Sequence, residues 1–256
     1  MLKVRIIPTL LWKNYGLVKG VGFDSWRQVG TVMPSIKVYN SRDVDELILL
    51  DITATDENRE PDYDSIKEFA AECFVPLTYG GGVRDIEIIR KLLLSGVDKV
   101  AINTKAYMRQ ELISEAAYKF GSQCIVISID ARKNKNENYE CYCHSGQVPT
   151  GKDPVEWAKN VESLGAGEIL ITSIERDGTM QGYDYELIKR VSSAVTIPVI
   201  ASGGAGNYSH MLDALKIGGA SSVAAASMFH FTEQTPAEAK EYLASNGIPV
   251  RKVYSR

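Results

Sequence analysis

Long apolar runs are missing from this sequence: no stretch approaches the roughly 18 uninterrupted apolar residues that a spanning helix needs. The opening "MLKVRIIPTLLW" is too short and too soon interrupted for a secretory signal, so a cytoplasmic protein with no membrane partner is expected. An excess of charge is missing too. With a formal net charge of −3 the chain offers no broad basic surface for nucleic acid, and any cationic site must be local. Cysteine and histidine are scarce. Cys73, Cys124, Cys141 and Cys143 form no C-x-x-C pair and are expected to be reduced, buried or half-buried thiols; Cys141 and Cys143, two apart, share one face of an expected strand. His144, His210 and His230 make no i, i+4 pair, so neither a metal site nor a cofactor is expected. Short-period repeats, low-complexity tracts and Pro/Gly/Ser linkers are absent, which leaves no domain boundary in residues 1–256.

What is present is alternation. Short β-branched runs at about 4–10, 45–51, 75–79, 98–103, 123–130, 168–173, 197–202 and 221–226 are each followed by a helix or a long loop. The helical segments "DSIKEFAAECF", "DIEIIRKLLLSG" and "DPVEWAKNVESLG" have acidic first turns and apolar spacing near 3.6, and the last two close on glycine. Eight such units predict an α/β fold, a (β/α)8 TIM barrel. The chain also matches itself. "VPLTYGGGVRDIEIIRKLLLSGVDKVAINT" aligns with "IPVIASGGAGNYSHMLDALKIGGASSVAAAS", and the same offset sets "DELILLDIT" against "GEILITSIE". A single barrel of two half-barrels, approximately 1–121 and 122–256, is therefore expected, in which Leu11 closing strand one is the counterpart of Asp130 closing strand five.

In this fold chemistry gathers at the C-terminal ends of the strands, while the N-terminal ends serve stability. Gly81 and Gly82 follow strand three and Gly203 and Gly204 follow strand seven, each pair preceding a helix, where backbone N–H groups and a helix dipole suit a phosphate. Asn103 and Thr104 after strand four, and Ser227 after strand eight, are placed to complete the two nests. One glycine pair is explained by a tight turn; two pairs related by the repeat imply a ligand with a phosphate at each end. The segment 13–33, rich in glycine and aromatics, reads as a long loop, either a lid or a plain surface excursion, from which Lys19 can reach over the mouth. Residues 132–150 read as a polar loop and hairpin after strand five. Asp51 and Asp177, at the ends of strands two and six, fit a ribose or water ligand and equally a turn cap. At the opposite end Arg5, Glu46, Lys99 and Glu168 lie near strand starts. Charges pointing into a barrel floor are costly unless paired, so a mutual ion-paired ring is expected, as a structural plug or as a gate for a small polar molecule.

Together these residues resemble the cyclase subunit of imidazole glycerol phosphate synthase, the HisF family, nearly end to end: "RII", "VKG", "DELILLDITA", "GGGVRD", "DKVAIN", "GSQCIVISIDA", "GAGEILITSIERDGT", "VIASGGAG" and "FHF". The resemblance implies a barrel that binds a bis-phosphorylated ribulosyl carboxamide nucleotide across its mouth and receives ammonia from a HisH-like glutaminase docked at its floor. Carried over, the gate is Arg5, Glu46, Lys99 and Glu168, with Asp98 near the partner surface. Lys19 matches the loop lysine, and Gly81, Gly82, Asn103, Thr104, Asp177, Gly203, Gly204 and Ser227 match the substrate and phosphate positions. The family uses two carboxylates as acid and base, and here the departure lies: Asp130 is kept, but Leu11 stands in the other place. "RIIPTLLWKNYGLVK" is similar to the HisF-like branch of surface-saccharide clusters, which is associated with glycosyl amidation and with a separate sugar amidotransferase. The resemblance thus implies ammonia delivery for sugar amidation, with a working histidine-pathway cyclase or a non-catalytic scaffold for the glutaminase as the alternatives.

Overall fold

The structure, a computed structural model, describes residues 3–14 and 16–252. Eight parallel strands form its centre: β1 (Arg5–Lys13), β2 (Leu47–Asp51), β3 (Leu77–Gly80), β4 (Lys99–Ile102), β5 (Ile125–Lys133), β6 (Glu168–Ser173), β7 (Val199–Ser202) and β8 (Ser222–Ala225). Each pairs with the next, and β8 pairs with β1 through Arg5↔Ser222 and Ile7↔Ala224, which closes the sheet. The result is the expected (β/α)8 barrel. Closure buries both faces of every strand, which is why the strands read as continuous apolar runs.

Two apolar shells follow from the two-residue period of a strand. Ile7, Ile48, Val126, Leu170 and Ile200, with small Ala101 and Ala224, fill the middle of the barrel. Their alternates, such as Ile6, Leu49 and Ile127, face the surrounding helices. Those helices are built as their sequences dictate. In Pro154–Ser163 the Asp153 carboxylate accepts from the Val155 and Glu156 N–H groups, proline takes the first turn, and Trp157, Ala158 and Val161 are buried. Asp85 caps Ile86–Leu94 through Ile88 N–H, and Ile88, Ile89 and Leu92 face the sheet.

The segment 13–33 departs from the expected loop. Gly16–Val21 and Asp24–Gly30 form an antiparallel hairpin stitched onto the end of β1 through Leu11↔Val18 and Lys13↔Gly16. Val21 pairs with Asp24 across a two-residue turn, Gly22 and Phe23, both left-handed (φ 61° and 63°); this is the geometry that matches strand twist in a hairpin. β5 behaves likewise, continuing past the barrel and pairing with Tyr139–Cys143 through Asp130↔Tyr142, as expected for 132–150. Leu11 and Asp130 therefore lie where a barrel strand turns into a hairpin strand, and neither is its strand's last residue. Cys141 and Cys143 are buried free thiols on that hairpin, and Cys73 and Cys124 are half-buried ones. Among the described residues no helix is long and apolar enough to cross a membrane.

Candidate functional site

The C-terminal ends of the strands enclose a cavity of about 300 Å³. Leu11, Asp130, Asp177, the two glycine pairs, Asn103, Thr104 and Ser227 all line it. Gly81 and Gly203 are left-handed (φ 117° and 85°), and a Cβ on Gly81 would fall 2.2 Å from the Asp51 carbonyl oxygen, so only glycine fits where that turn crosses β2. Thr104 and Ser227 each open a five-residue helix at the rim. The Gly82 N–H donates to Thr55 Oγ1 at 3.3 Å, an external hydroxyl that an anion would have to displace.

Asp130 sits at the centre. Burial above all, and then Asp177, pushes its carboxyl up to about 7, against hydrogen bonds from Ser128 and Thr172. Asn103 donates to Asp130 Oδ2 at 3.0 Å and to the Ser128 carbonyl at 3.1 Å, so its amide positions the carboxyl as well as lining the rim. A carboxyl titrating near neutrality can both take and return a proton. It also weakens the fold. The folded-state value lies above the roughly 3.9 of an unfolded aspartate, so the group's contribution to stability is complete below about pH 4 and is lost as pH rises through about 7. Asp130→Asn should therefore gain on the wild type between about pH 4 and pH 8, by up to about 4 kcal/mol in urea unfolding.

Lys19 is not at the tip of a loop. It lies in the hairpin strand Gly16–Val21, is only 3% exposed, and donates from Nζ to the Thr9 carbonyl at 2.8 Å, so it does not reach over the mouth. Burial lowers its ammonium to about 7, with Asp177 opposing; burial raises Asp177 to about 6, with Lys19 opposing. Asp177 follows β6 in a turn and does not end the strand. Its carbonyl accepts from Gly22 N–H at 2.9 Å, which fastens the hairpin tip across the mouth. The fit is close. A Cβ on Gly178 (φ 73°) would lie 1.9 Å from the Gly20 carbonyl oxygen. Gly178→Ala is expected to lift the hairpin, costing about 1–3 kcal/mol of its docking. Limited proteolysis within 16–30 should accelerate about tenfold or more.

Asp51 resolves as a turn cap: its Oδ1 accepts from the Thr53 and Ala54 N–H groups, and Arg59 forks onto both its oxygens at 3.0 and 3.2 Å. At the floor the four charged residues close a ring. Arg5 binds Glu46 at 2.6 Å and also Glu168, while Lys99 binds Glu46 and Glu168 at 2.9 Å each. Thr78 donates to Glu46 at 2.7 Å, and Arg5 Nε donates to Ser222 at 3.0 Å. Burial alone would lower the Arg5 pKa; Glu168 and Glu46 together leave it raised. Asp98, beside the ring, is exposed and accepts from Leu77 N–H at 2.8 Å.

Sequence reasoning missed an imidazole at the mouth. His144 lines the cavity, its Nδ1 is 3.1 Å from Asp56 Oδ1, and its N–H donates to Thr104 Oγ1 at 3.0 Å. Phe23 and Trp26 of the hairpin also line the cavity.

A closed parallel barrel with paired glycine turns at one end and an ion-paired ring at the other belongs to the class of (β/α)8 proteins whose strand ends form a ligand site. The family model described as histidine biosynthesis protein matches residues 5–235, and this chain belongs to that family.

Proposed function

We propose that this chain is the barrel subunit of a glutamine-dependent ammonia-transfer complex, and that it passes ammonia on for amidation of a sugar and does not close an imidazole ring. Leu11 carries this reading. It lines the cavity with Asp130, in the position where the HisF family places its other carboxylate, and an isobutyl group moves no proton. Three further features favour ammonia delivery. The floor ring is complete. The barrel middle is hydrocarbon, which admits neutral ammonia far more readily than ammonium. Phe74 and Leu94, in the segments that lead into β3 and β4 at the floor, are 78% and 79% exposed, apolar side chains suited to a partner such as a HisH-like glutaminase. The glycine turns suit a phosphorylated ligand, and a separate sugar amidotransferase would consume the ammonia.

A second reading, the cyclase subunit of imidazole glycerol phosphate synthase, is favoured by the family match and by two poised carboxyls, Asp130 and Asp177, in one cavity. Turnover of the bis-phosphorylated ribulosyl carboxamide nucleotide with ammonium salt separates the two. Ammonia transfer predicts a rate lower than a two-carboxylate cyclase by about 10²–10⁴. A full rate overturns it, as does failure to bind or activate any HisH-like glutaminase.

A further inference from the structure

The turn between Tyr139–Cys143 and Val148–Pro149 is bent into the mouth by two successive left-handed residues, His144 (φ 50°) and Ser145 (φ 52°). Non-glycine residues hold such a conformation only where surrounding contacts fix it. Here they come from two other units of the barrel. His144 N–H is held by Thr104 after β4, and Ser145 Oγ donates to the Ile52 carbonyl after β2 at 2.9 Å. Asp56, also after β2, takes His144 Nδ1 on one oxygen and Gln147 Nε2 on the other at 3.2 Å. A carboxylate can only accept, so neutral His144 carries its proton on Nδ1 and leaves a basic lone pair on Nε2. Among the described residues Nε2 has no hydrogen-bond partner.

Of the three histidines only His144 lines the cavity. His210 accepts from Gly206 N–H, and His230 is kept neutral by burial and by Lys19 and Arg42. Cys143, the preceding residue, has its thiol pushed up by burial and then by both Asp130 and Asp56, so both carboxylates lie near this turn. The other charged groups lining the cavity are Asp51, held by Arg59, and Arg84, Lys105 and Asp177.

We propose that His144, oriented by Asp56, is a second proton-transfer group of this cavity, complementing Asp130 where Leu11 cannot. Nε2 takes a proton from the bound ligand or its entering nitrogen and returns it; Asp56 only positions the ring. The role rests on the second reading above, in which the cavity is itself a reactive, anion-binding site, and its test does not need the glutaminase.

Side-chain nitrogen–proton correlation spectra of the full chain, assigned with His144→Gln, are the test. Neutral His144 is expected as the Nδ1–H tautomer, with that preference falling about tenfold in Asp56→Asn, the loss of about 1.4 kcal/mol of charge-assisted bonding. Inorganic phosphate should shift the His144 ring and leave His210 and His230 unmoved. A dominant Nε2–H tautomer overturns the role, and so does a ring that ignores phosphate while the Gly82 and Thr104 amides respond. If no amide responds, the phosphate reading fails instead, and the tautomer alone decides His144. Where the wild type turns over the ribulosyl substrate, His144→Gln should lower kcat about 10²-fold with KM little changed, and an unchanged kcat refutes the role.

Discussion

Leu11→Asp is expected to raise ammonium-dependent cyclisation of the ribulosyl carboxamide substrate by about 10²–10⁴, the usual worth of one positioned acid or base. The backbone is ready for it. Leu11 is paired to Leu50 of β2 and Val18 of the hairpin, and its side chain is half-buried against the cavity, so a shorter carboxylate faces the same space. Losing part of a leucine's burial costs about 1–2 kcal/mol, tolerable in a barrel of this size. The new charge would also share a cavity with Asp130 and Asp177, and like charges favour the neutral form, so Asp130 should titrate still higher than about 7. Single-turnover kinetics with saturating ammonium chloride read the gain without any glutaminase. A variant that stays folded and binds phosphate yet gains nothing would mean that position 11 does not limit proton transfer, and the case against a histidine-pathway cyclase would lose its main support.

Much of this architecture is legible in the chain because barrel closure imposes a simple rule on it. Strands buried on both faces must be apolar throughout, so β1 to β8 stand out as short β-branched runs between helical stretches with a 3.6 period, with bounds differing from the expected ones by a few residues. The floor ring is legible for a related reason: charged residues at strand starts in a barrel must find one another, and the repeat pairs Glu46 with Glu168. The hairpin at 16–30 escaped because its alternation is weak and its outer strand is largely exposed, so glycine and aromatics looked like loop composition. Lys19 follows from the same cause: a lysine in a loop would extend to solvent, whereas pairing of Val18 with Leu11 turns it under the hairpin onto Thr9. The His144–Asp56 contact joins residues 88 apart with no motif between them. Only the chain reversal after β5, meeting the loop after β2, brings them together.

Glu168→Gln should be strongly damaging at the floor. Arg5, Glu46, Lys99 and Glu168 alternate in sign around a closed circuit, each cation shared by both acids. Glu46 and Glu168 are 1% and 5% exposed, so removing one carboxylate leaves two cations on a single buried anion. Breaking a buried pair in this way costs about 3–5 kcal/mol, against a total stability of about 5–15 kcal/mol for a typical domain. Because the Arg5 and Lys99 side chains keep 27% and 17% exposure, water moderates the loss, and the lower figure of about 3 kcal/mol is expected. Urea unfolding measures it as a fall in midpoint at unchanged slope. The double variant Glu168→Gln with Lys99→Met restores charge balance and should recover most of the loss, since a matched apolar replacement of a buried pair is often near neutral. With a glutaminase bound, both variants should lose glutamine-dependent transfer and keep ammonium-dependent transfer, because ammonia supplied at the mouth bypasses the floor. A single-variant cost under about 1 kcal/mol would instead mark the ring as an open, hydrated surface network. Such a ring could not act as the sealed gate that ammonia delivery requires.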